Sequence, residues 1–110
     1  MTDEIPIEEG SGNVFADLGL PDAEERLAKA ELALRITEAV RGRRLTQAKA
    51  AALFGIDQPK VSRLLRGQLA GFSTERLIHF LTLLGRDVEI VVRTAPRSRR
   101  QGRVRVVAAA

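Results

Sequence analysis

The sequence contains no cysteine, tryptophan or tyrosine, and it has a single histidine, His79. Without cysteine the chain can form no disulfide framework, no thiolate nucleophile and no Cys-ligated zinc site. His79 lies in a predicted helix without a second histidine or clustered carboxylates, so we expect no metal site. Long apolar runs are also missing: none approaches the ~18 residues of a membrane span. We therefore expect a soluble, cytoplasmic protein.

The usual signs of an enzyme are scarce. Ser62 has no candidate general base beside it in the sequence, and the acidic residues concentrate near the N-terminus rather than around a recognisable pocket. Gly10 and Gly12 follow no predicted strand and open no apolar helix, which argues against a phosphate-binding loop. We expect neither catalysis nor a bound cofactor.

Charge is distributed unevenly along the 110 residues. Residues 1–31 hold nine acidic and two basic side chains, whereas residues 32–110 hold sixteen basic and five acidic ones. The basic part suits a polyanionic partner, although a basic surface that is merely solvated is an alternative. A chain of this length can build one modest core. We expect an acidic arm at residues 1–19, one domain at residues 20–94 and a flexible basic tail at residues 95–110.

Apolar spacing and capping signals predict a mainly α-helical bundle of four to five helices. A first helix begins after Pro21 and runs to about Arg41, where Gly42 supplies a stop. Leu27 and Leu34 lie off its apolar stripe, which consists of Leu32, Ile36, Ala39 and Val40. Three further helices are expected to begin at capping residues and to end at glycines. The caps are Thr46, Asp57 and either Ser73 or Thr74, and the glycines are Gly55, Gly67 and Gly85.

Residues 87–94 change to a period of two, in which Val88, Ile90 and Val92 share one face. This alternation predicts one C-terminal β-strand. Because the rest of the domain is predicted to be helical, the strand has no sheet to join, and an unpaired apolar edge is a liability. We expect it to pair with its counterpart across a two-fold homodimer. An intrachain hairpin with residues 103–107 is the alternative.

Residues 46–67, TQAKAAALFGIDQPKVSRLLRG, form the most informative segment, because two short predicted helices flank a three-residue turn that contains glycine. This spacing is typical of a helix-turn-helix, whose second helix enters the DNA major groove. Ala51 is placed where the two helices cross and a small side chain is needed. Helical pairs of this kind also occur in bundles that bind no nucleic acid, but the basic charge after residue 31 favours DNA. The expected core side chains are Leu53 or Phe54, Ile56, Val61, Leu64 and Leu65.

The outward side chains of the second helix, expected over residues 58–66, have the chemistry that a DNA groove requires. Glutamine can bond an adenine edge, arginine can bond guanine, and serine or proline can meet a base edge or a thymine methyl group. The expected base-contacting residues are Gln58, Pro59, Ser62 and Arg63. The expected phosphate-contacting residues are Arg43, Arg44, Gln47, Lys60 and Arg66.

The block TQxxxAxxxGIxQxxVSRLLRG resembles the XRE, or Cro/repressor-type, helix-turn-helix family. This resemblance implies that Gln58, Pro59 and Arg63 face base edges and that Gln47 contacts phosphate. The sequence departs from the family at Ala50, where a larger apolar residue is usual, and at Pro59, where a polar one is common. The second departure leaves the base preference open.

The sequences that flank this block resemble the HigA-like group of XRE-type antitoxins, so that the similarity spans residues 11–93. They are GNVFADLGLPDAEERLAKAELALRI before the block and LIHFLTLLGRDVEIVVR after it. The resemblance implies a homodimer that represses its own operon at a palindromic operator and binds a toxin, often a RelE-like mRNA endonuclease. We further hypothesise that the acidic residues 1–31 contact this toxin. The alternatives are a solitary or phage-type repressor and an interaction module whose basic surface binds an acidic protein.

Overall fold

The computed structural model describes residues 22–109, and the acidic arm expected at residues 1–19 lies outside this part. Between residues 22 and 109 the chain forms four α-helices: α1 (Asp22–Gly42), α2 (Gln47–Phe54), α3 (Gln58–Leu65) and α4 (Thr74–Leu83). The prediction of a mainly helical bundle that contains a helix-turn-helix is confirmed. None of these helices is both long and apolar enough to cross a membrane.

Each of the three shorter helices begins at a capping side chain that the sequence predicted. The side-chain oxygen accepts a hydrogen bond from the backbone N–H three residues later, at 3.1 Å for Thr46, 2.9 Å for Asp57 and 3.1 Å for Ser73. Ser73, rather than Thr74, caps α4. Such caps stabilise a helix by about 1 kcal/mol, because they satisfy a first-turn amide that has no partner within the helix. Local sequence therefore determines where α2, α3 and α4 start.

The core forms where α1 packs against α3 and α4. The apolar stripe predicted on α1 is buried throughout. Phe80 of α4 stacks on Phe54 of α2 with a ring-centroid distance of 4.4 Å, and Phe72 meets Phe80 edge-on at 6.3 Å. The aromatic contacts thus connect α2 and α4. The largest fully buried side chains are Ile36, Val61, Leu64, Leu77, Phe80 and Leu84.

The α1–α2 connection differs in detail from the prediction that Gly42 supplies the stop. α1 does end at Gly42, but the left-handed backbone of the turn falls on Arg44, with φ of 56°. The Arg44 N–H donates to the carbonyl of Arg41 at 3.0 Å, and the Leu45 N–H donates to that of Val40 at 3.0 Å. These hydrogen bonds fix a turn that a non-glycine residue adopts only at some cost in backbone energy.

Residues 86–109 contain neither helix nor strand, so the single chain does not form the strand expected at residues 87–94. The intrachain hairpin with residues 103–107 is not formed either. The physical reason is that a strand needs a hydrogen-bonded neighbour, and α1 to α4 offer no free strand edge. Ile90 and Val92 are 85% and 90% exposed in this chain. Further along the chain, the N–H of Val104 donates to Glu24 of α1, and Val106 packs against the core.

We expect Gly55→Ala to lower the free energy of unfolding by about 1–2 kcal/mol, because Gly55 has φ of 71°, where an L side chain is strained. Gly42→Ala is the matched control, since Gly42 ends a helix without positive φ and has open space around its Cα. That control should be neutral or stabilising. Urea unfolding of both variants measures the difference. Equal effects at the two sites would contradict the role assigned to the left-handed turn.

Candidate nucleic-acid interface

A network of backbone hydrogen bonds holds α2 and α3 in a fixed relation. The N–H groups of Gly55 and Ile56 both donate to the carbonyl of Ala51, at 2.9 and 3.1 Å, and Gly55 has the left-handed conformation predicted for it. The turn then passes into Asp57, which caps α3. Ala51 is buried, as its predicted place at the helix crossing requires, and the preceding Ala50 is completely buried. The backbone turn after α2 and the small side chains at the helix crossing therefore both contribute to the orientation of α3.

α3 has one buried face and one exposed face. Val61 and Leu64 are fully buried, and Leu65 is half-buried against the core. The predicted base-contacting residues Gln58, Pro59 and Arg63 are exposed, and Ser62 is half-buried. These four occupy positions i, i+1, i+4 and i+5, which lie on one side of a helix with 3.6 residues per turn. The structure therefore brings together all four side chains that the sequence predicted to contact bases.

The residues predicted to contact phosphate are all exposed to solvent. Arg43 and Arg44 are exposed in the turn that precedes α2, and Gln47 is exposed at the first position of α2. Lys60 is exposed on the first turn of α3. Arg66 follows the end of α3, and its Nε donates to the carbonyl of Ser62 at 3.3 Å, a contact that the sequence did not predict.

Carboxylates are almost absent from this surface. Asp57 is the one acidic residue between positions 46 and 67, and its side chain already accepts the N–H of Lys60. Among residues 22–109, the ion pairs all lie within α1: Glu25 with Lys29, and Arg35 with both Glu31 and Glu38. The cations of α3 thus have no carboxylate partner in the described part of the chain. Such an arrangement suits a polyanion.

The fold and this surface define a helix-turn-helix of the DNA-binding class. A family model described as a helix-turn-helix domain matches residues 14–93 of the chain. A solved structure described as an "XRE Family Transcriptional Regulator" is 54% identical, covers 81% of this chain and 100% of that chain, and superposes with a TM-score of 0.74. No curated protein matches the chain.

The chain therefore belongs to the helix-turn-helix family, and its resemblance to the XRE type is confirmed. Membership supports the prediction of a DNA-binding transcriptional regulator. Neither match identifies the chain as a member of the HigA-like antitoxin group, so this finer assignment stays a prediction. The base and phosphate contacts assigned to individual α3 side chains also stay predictions.

Proposed function

We propose that this protein regulates transcription by binding a specific operator in double-stranded DNA, with α3 in the major groove. The main support for this proposal is the exposed face of α3, which contains no carboxylate. Gln58 and Arg63 lie on this face, on successive turns of the helix. The membership of the chain in the XRE-type helix-turn-helix family supports the same function. The protein acts by binding, without a catalytic step or a cofactor.

The base readout follows from the donors and acceptors on this face. Gln58 offers an amide that can pair bidentately with adenine, and Arg63 offers a fork of N–H donors that fits the N7 and O6 acceptors of guanine. Ser62 can donate to or accept from either base edge, and Pro59 presents apolar surface to a thymine methyl group. Each well-formed bidentate pair discriminates against the wrong base by about 1–3 kcal/mol.

The surrounding groups set the register of α3 on the duplex. Arg43, Arg44 and Gln47 approach the sugar-phosphate backbone from the start of α2, while Lys60 and Arg66 approach it from α3. Such contacts carry no sequence information but supply much of the affinity, because they release counterions from the DNA. The division of roles predicts which substitutions change specificity and which change only affinity.

Repeated selection of random duplexes by the full-length protein tests this proposal. The expected result is enrichment of one site with two inverted half-sites whose centres are about 10 base pairs apart, one turn of the double helix. Sequencing of the retained pool identifies the site. A pool that stays random after several rounds, while total binding persists, would contradict sequence-specific binding and favour a merely polyanion-binding surface.

We further propose that two copies of the chain associate by pairing residues 87–94 across a two-fold axis. This segment leaves Ile90, Val91 and Val92 exposed, an apolar patch that a second strand would cover. Pairing would also satisfy the unpaired backbone groups of the edge. Two recognition helices related by the two-fold axis would then match half-sites ~34 Å apart.

Ile90→Pro is expected to release monomers and to abolish cooperative binding to a palindromic duplex, because proline removes a ladder N–H. Sedimentation velocity measures the assembly state. Ile90→Thr is the matched control, since threonine keeps both the N–H and the β-branched shape that strands favour. If the Ile90→Pro variant stays dimeric and binds the operator with unchanged affinity, residues 87–94 do not form the dimer interface.

The antitoxin function is the finer proposal. It is supported by the resemblance of residues 11–93 to HigA-like antitoxins and by the excess of acidic side chains in residues 1–31. A toxin that cleaves RNA needs a basic surface for its substrate, and an acidic segment can cover such a surface. A small basic protein encoded in the adjacent reading frame would favour this role over that of a solitary repressor.

Deletion of residues 1–19 is expected to reduce toxin neutralisation far more than operator binding, because the deletion removes acidic charge and leaves α1 to α4 intact. Growth rescue on co-expression with the adjacent toxin measures the first property, and duplex binding measures the second. The full-length chain is the reference for both. Equal rescue by the truncated and full-length chains would rule out the acidic arm as the toxin contact.

A further inference from the structure

The C-terminal segment, residues 96–109, carries strong positive charge that the helix-turn-helix does not use. It contains no acidic residue. Its five basic residues are Arg97, Arg99, Arg100, Arg103 and Arg105. None of them belongs to the set expected to contact bases or phosphates around α3.

This segment is attached to the helical domain rather than projecting from it. The N–H of Val104 donates to Oε1 of Glu24 in the first turn of α1, at 2.9 Å, although 80 positions separate the two residues. Val106 is half-buried against the core. A turn in which the Arg99 N–H donates to the carbonyl of Pro96, at 3.0 Å, precedes this attachment. The position of residues 103–106 on α1 is thus fixed by one hydrogen bond and one apolar contact.

Arginine and valine alternate along this attached part. Arg103 and Arg105 flank Val104 and are exposed to solvent, while Val106 packs inward. Val104 is also exposed, and its backbone N–H rather than its side chain makes the contact with Glu24. This hydrogen bond and the packing of Val106 therefore hold the segment, and Arg103 and Arg105 are left exposed to solvent.

The attachment point lies at the same end of the molecule as the end of α3. The first turns of α1 and the loop that directly follows α3 together line a groove of about 500 Å³, with Glu25 and Lys29 on one side and Gly67 and Leu69 on the other. Glu24, which holds the segment, is the immediate neighbour of Glu25. The attachment of the segment and the loop that follows α3 therefore both lie against the N-terminal part of α1.

The arginines of the segment form no ion pair within residues 22–109, and the nearby carboxylate of Glu24 accepts the N–H of Val104. Arg99 also has a buried Nη1 without a hydrogen-bond acceptor in this part of the chain. An unpaired arginine is always charged and can donate two parallel hydrogen bonds to a phosphate group.

We propose that the C-terminal segment is a second DNA-binding element, in which Arg103 and Arg105 contact phosphates of the duplex beside the site that α3 reads. The proposal rests on the DNA-binding function proposed above and extends it to a part of the chain outside the helix-turn-helix. Its contribution is independent of sequence, because phosphates carry no base information. The segment therefore strengthens binding to every duplex by the same factor.

The test compares full-length wild-type protein with the double variant Arg103→Gln and Arg105→Gln on a scrambled duplex of about 30 base pairs, roughly three helical turns. Each lost phosphate contact lowers the slope of log affinity against log salt by about 0.9, so the double variant should lose about 1.8 for each bound chain. For each bound chain, the affinity loss is then about tenfold greater at 50 mM than at 200 mM salt. Glutamine leaves Val104 and Val106 in place, and a thermal melt verifies the fold.

Two controls separate a local contact from other causes. Arg26→Gln with Arg86→Gln removes the same charge from exposed positions outside the segment and outside the proposed dimer strand, and it should leave the slope within about 0.3 of wild type, because long-range charge effects are screened by salt. Arg103→Lys with Arg105→Lys keeps the charge and should retain the slope. A Gln double variant with the wild-type slope, or with no greater loss than the Arg26 and Arg86 control, would overturn the proposal.

The same experiment distinguishes failure of this inference from failure of the proposed function. The contribution of the segment is measured on the scrambled duplex alone, where no base readout takes part. Sequence-specific function is measured by the preference of the wild-type protein for its selected site over the scrambled duplex. If the wild-type protein bound both duplexes equally, but the Gln double variant still had a lower salt slope than wild type, specific regulation would be contradicted. The proposal of a second DNA-binding element would stand.

Discussion

Phe80→Ala is expected to lower the free energy of unfolding by about 3–5 kcal/mol, a large share of the roughly 5–15 kcal/mol that stabilises a domain. Phe80 is 2% exposed and contacts both Phe54 and Phe72, so its removal leaves a cavity between α2 and α4 that the surrounding helices can fill only in part. Since α2 positions α3, we expect DNA binding to fail at the temperature at which this variant unfolds. Urea unfolding followed by circular dichroism measures the change.

Leu27→Ala is the matched control for Phe80→Ala. Leu27 is a large apolar side chain on α1, but it is 72% exposed, so its truncation should change stability by no more than about 0.5 kcal/mol. A loss below about 1 kcal/mol in Phe80→Ala, or similar losses in the two variants, would contradict the packing described between α2 and α4.

Arg63→Ala is expected to weaken binding to the selected operator by about 1–3 kcal/mol and to relax sequence preference at the base pair that Arg63 reads. Arg63 is exposed on α3, one turn after Pro59 and on the same side as Gln58. No described carboxylate pairs with it, so alanine breaks no ion pair within the chain. Competition binding at one salt concentration, with operator and scrambled duplexes, measures both effects.

Lys60→Ala is the control for this prediction, because Lys60 lies on the same helix and is expected to contact phosphate. It should weaken binding to operator and scrambled duplexes by the same factor. If Arg63→Ala also weakened both duplexes equally, Arg63 would be a phosphate contact, and the assignment of the groove-facing side of α3 would be wrong.

The helix boundaries could be predicted from the sequence because they depend on signals within a few residues. Thr46 and Asp57 accept hydrogen bonds from amides three positions later, and Gly55 supplies the left-handed turn. The apolar stripe of α1 likewise follows from the helical period alone. The candidate DNA-binding face could be predicted for the same reason, since capping and period together determine which side of α3 is buried.

The features that the sequence did not predict depend on contacts between distant residues or on the backbone of one turn. The hydrogen bond from Val104 to Glu24 joins the two ends of the described chain, and no local pattern specifies it. The left-handed backbone of Arg44 was missed because glycine, present two residues earlier, is the usual residue in that conformation. The strand predicted at residues 87–94 is not formed in the single chain, and its pairing with a second copy stays a prediction.

The ratio of affinities for the selected operator and a scrambled duplex of equal length, at one physiological salt concentration, tests the central claim most directly. If α3 reads base edges in the major groove, the full-length protein should bind the operator about 10³-fold to 10⁷-fold more tightly, as specific DNA-binding proteins do. Equal affinity for the two duplexes would contradict the claim, because it would show that the basic surface recognises only the charge of the DNA.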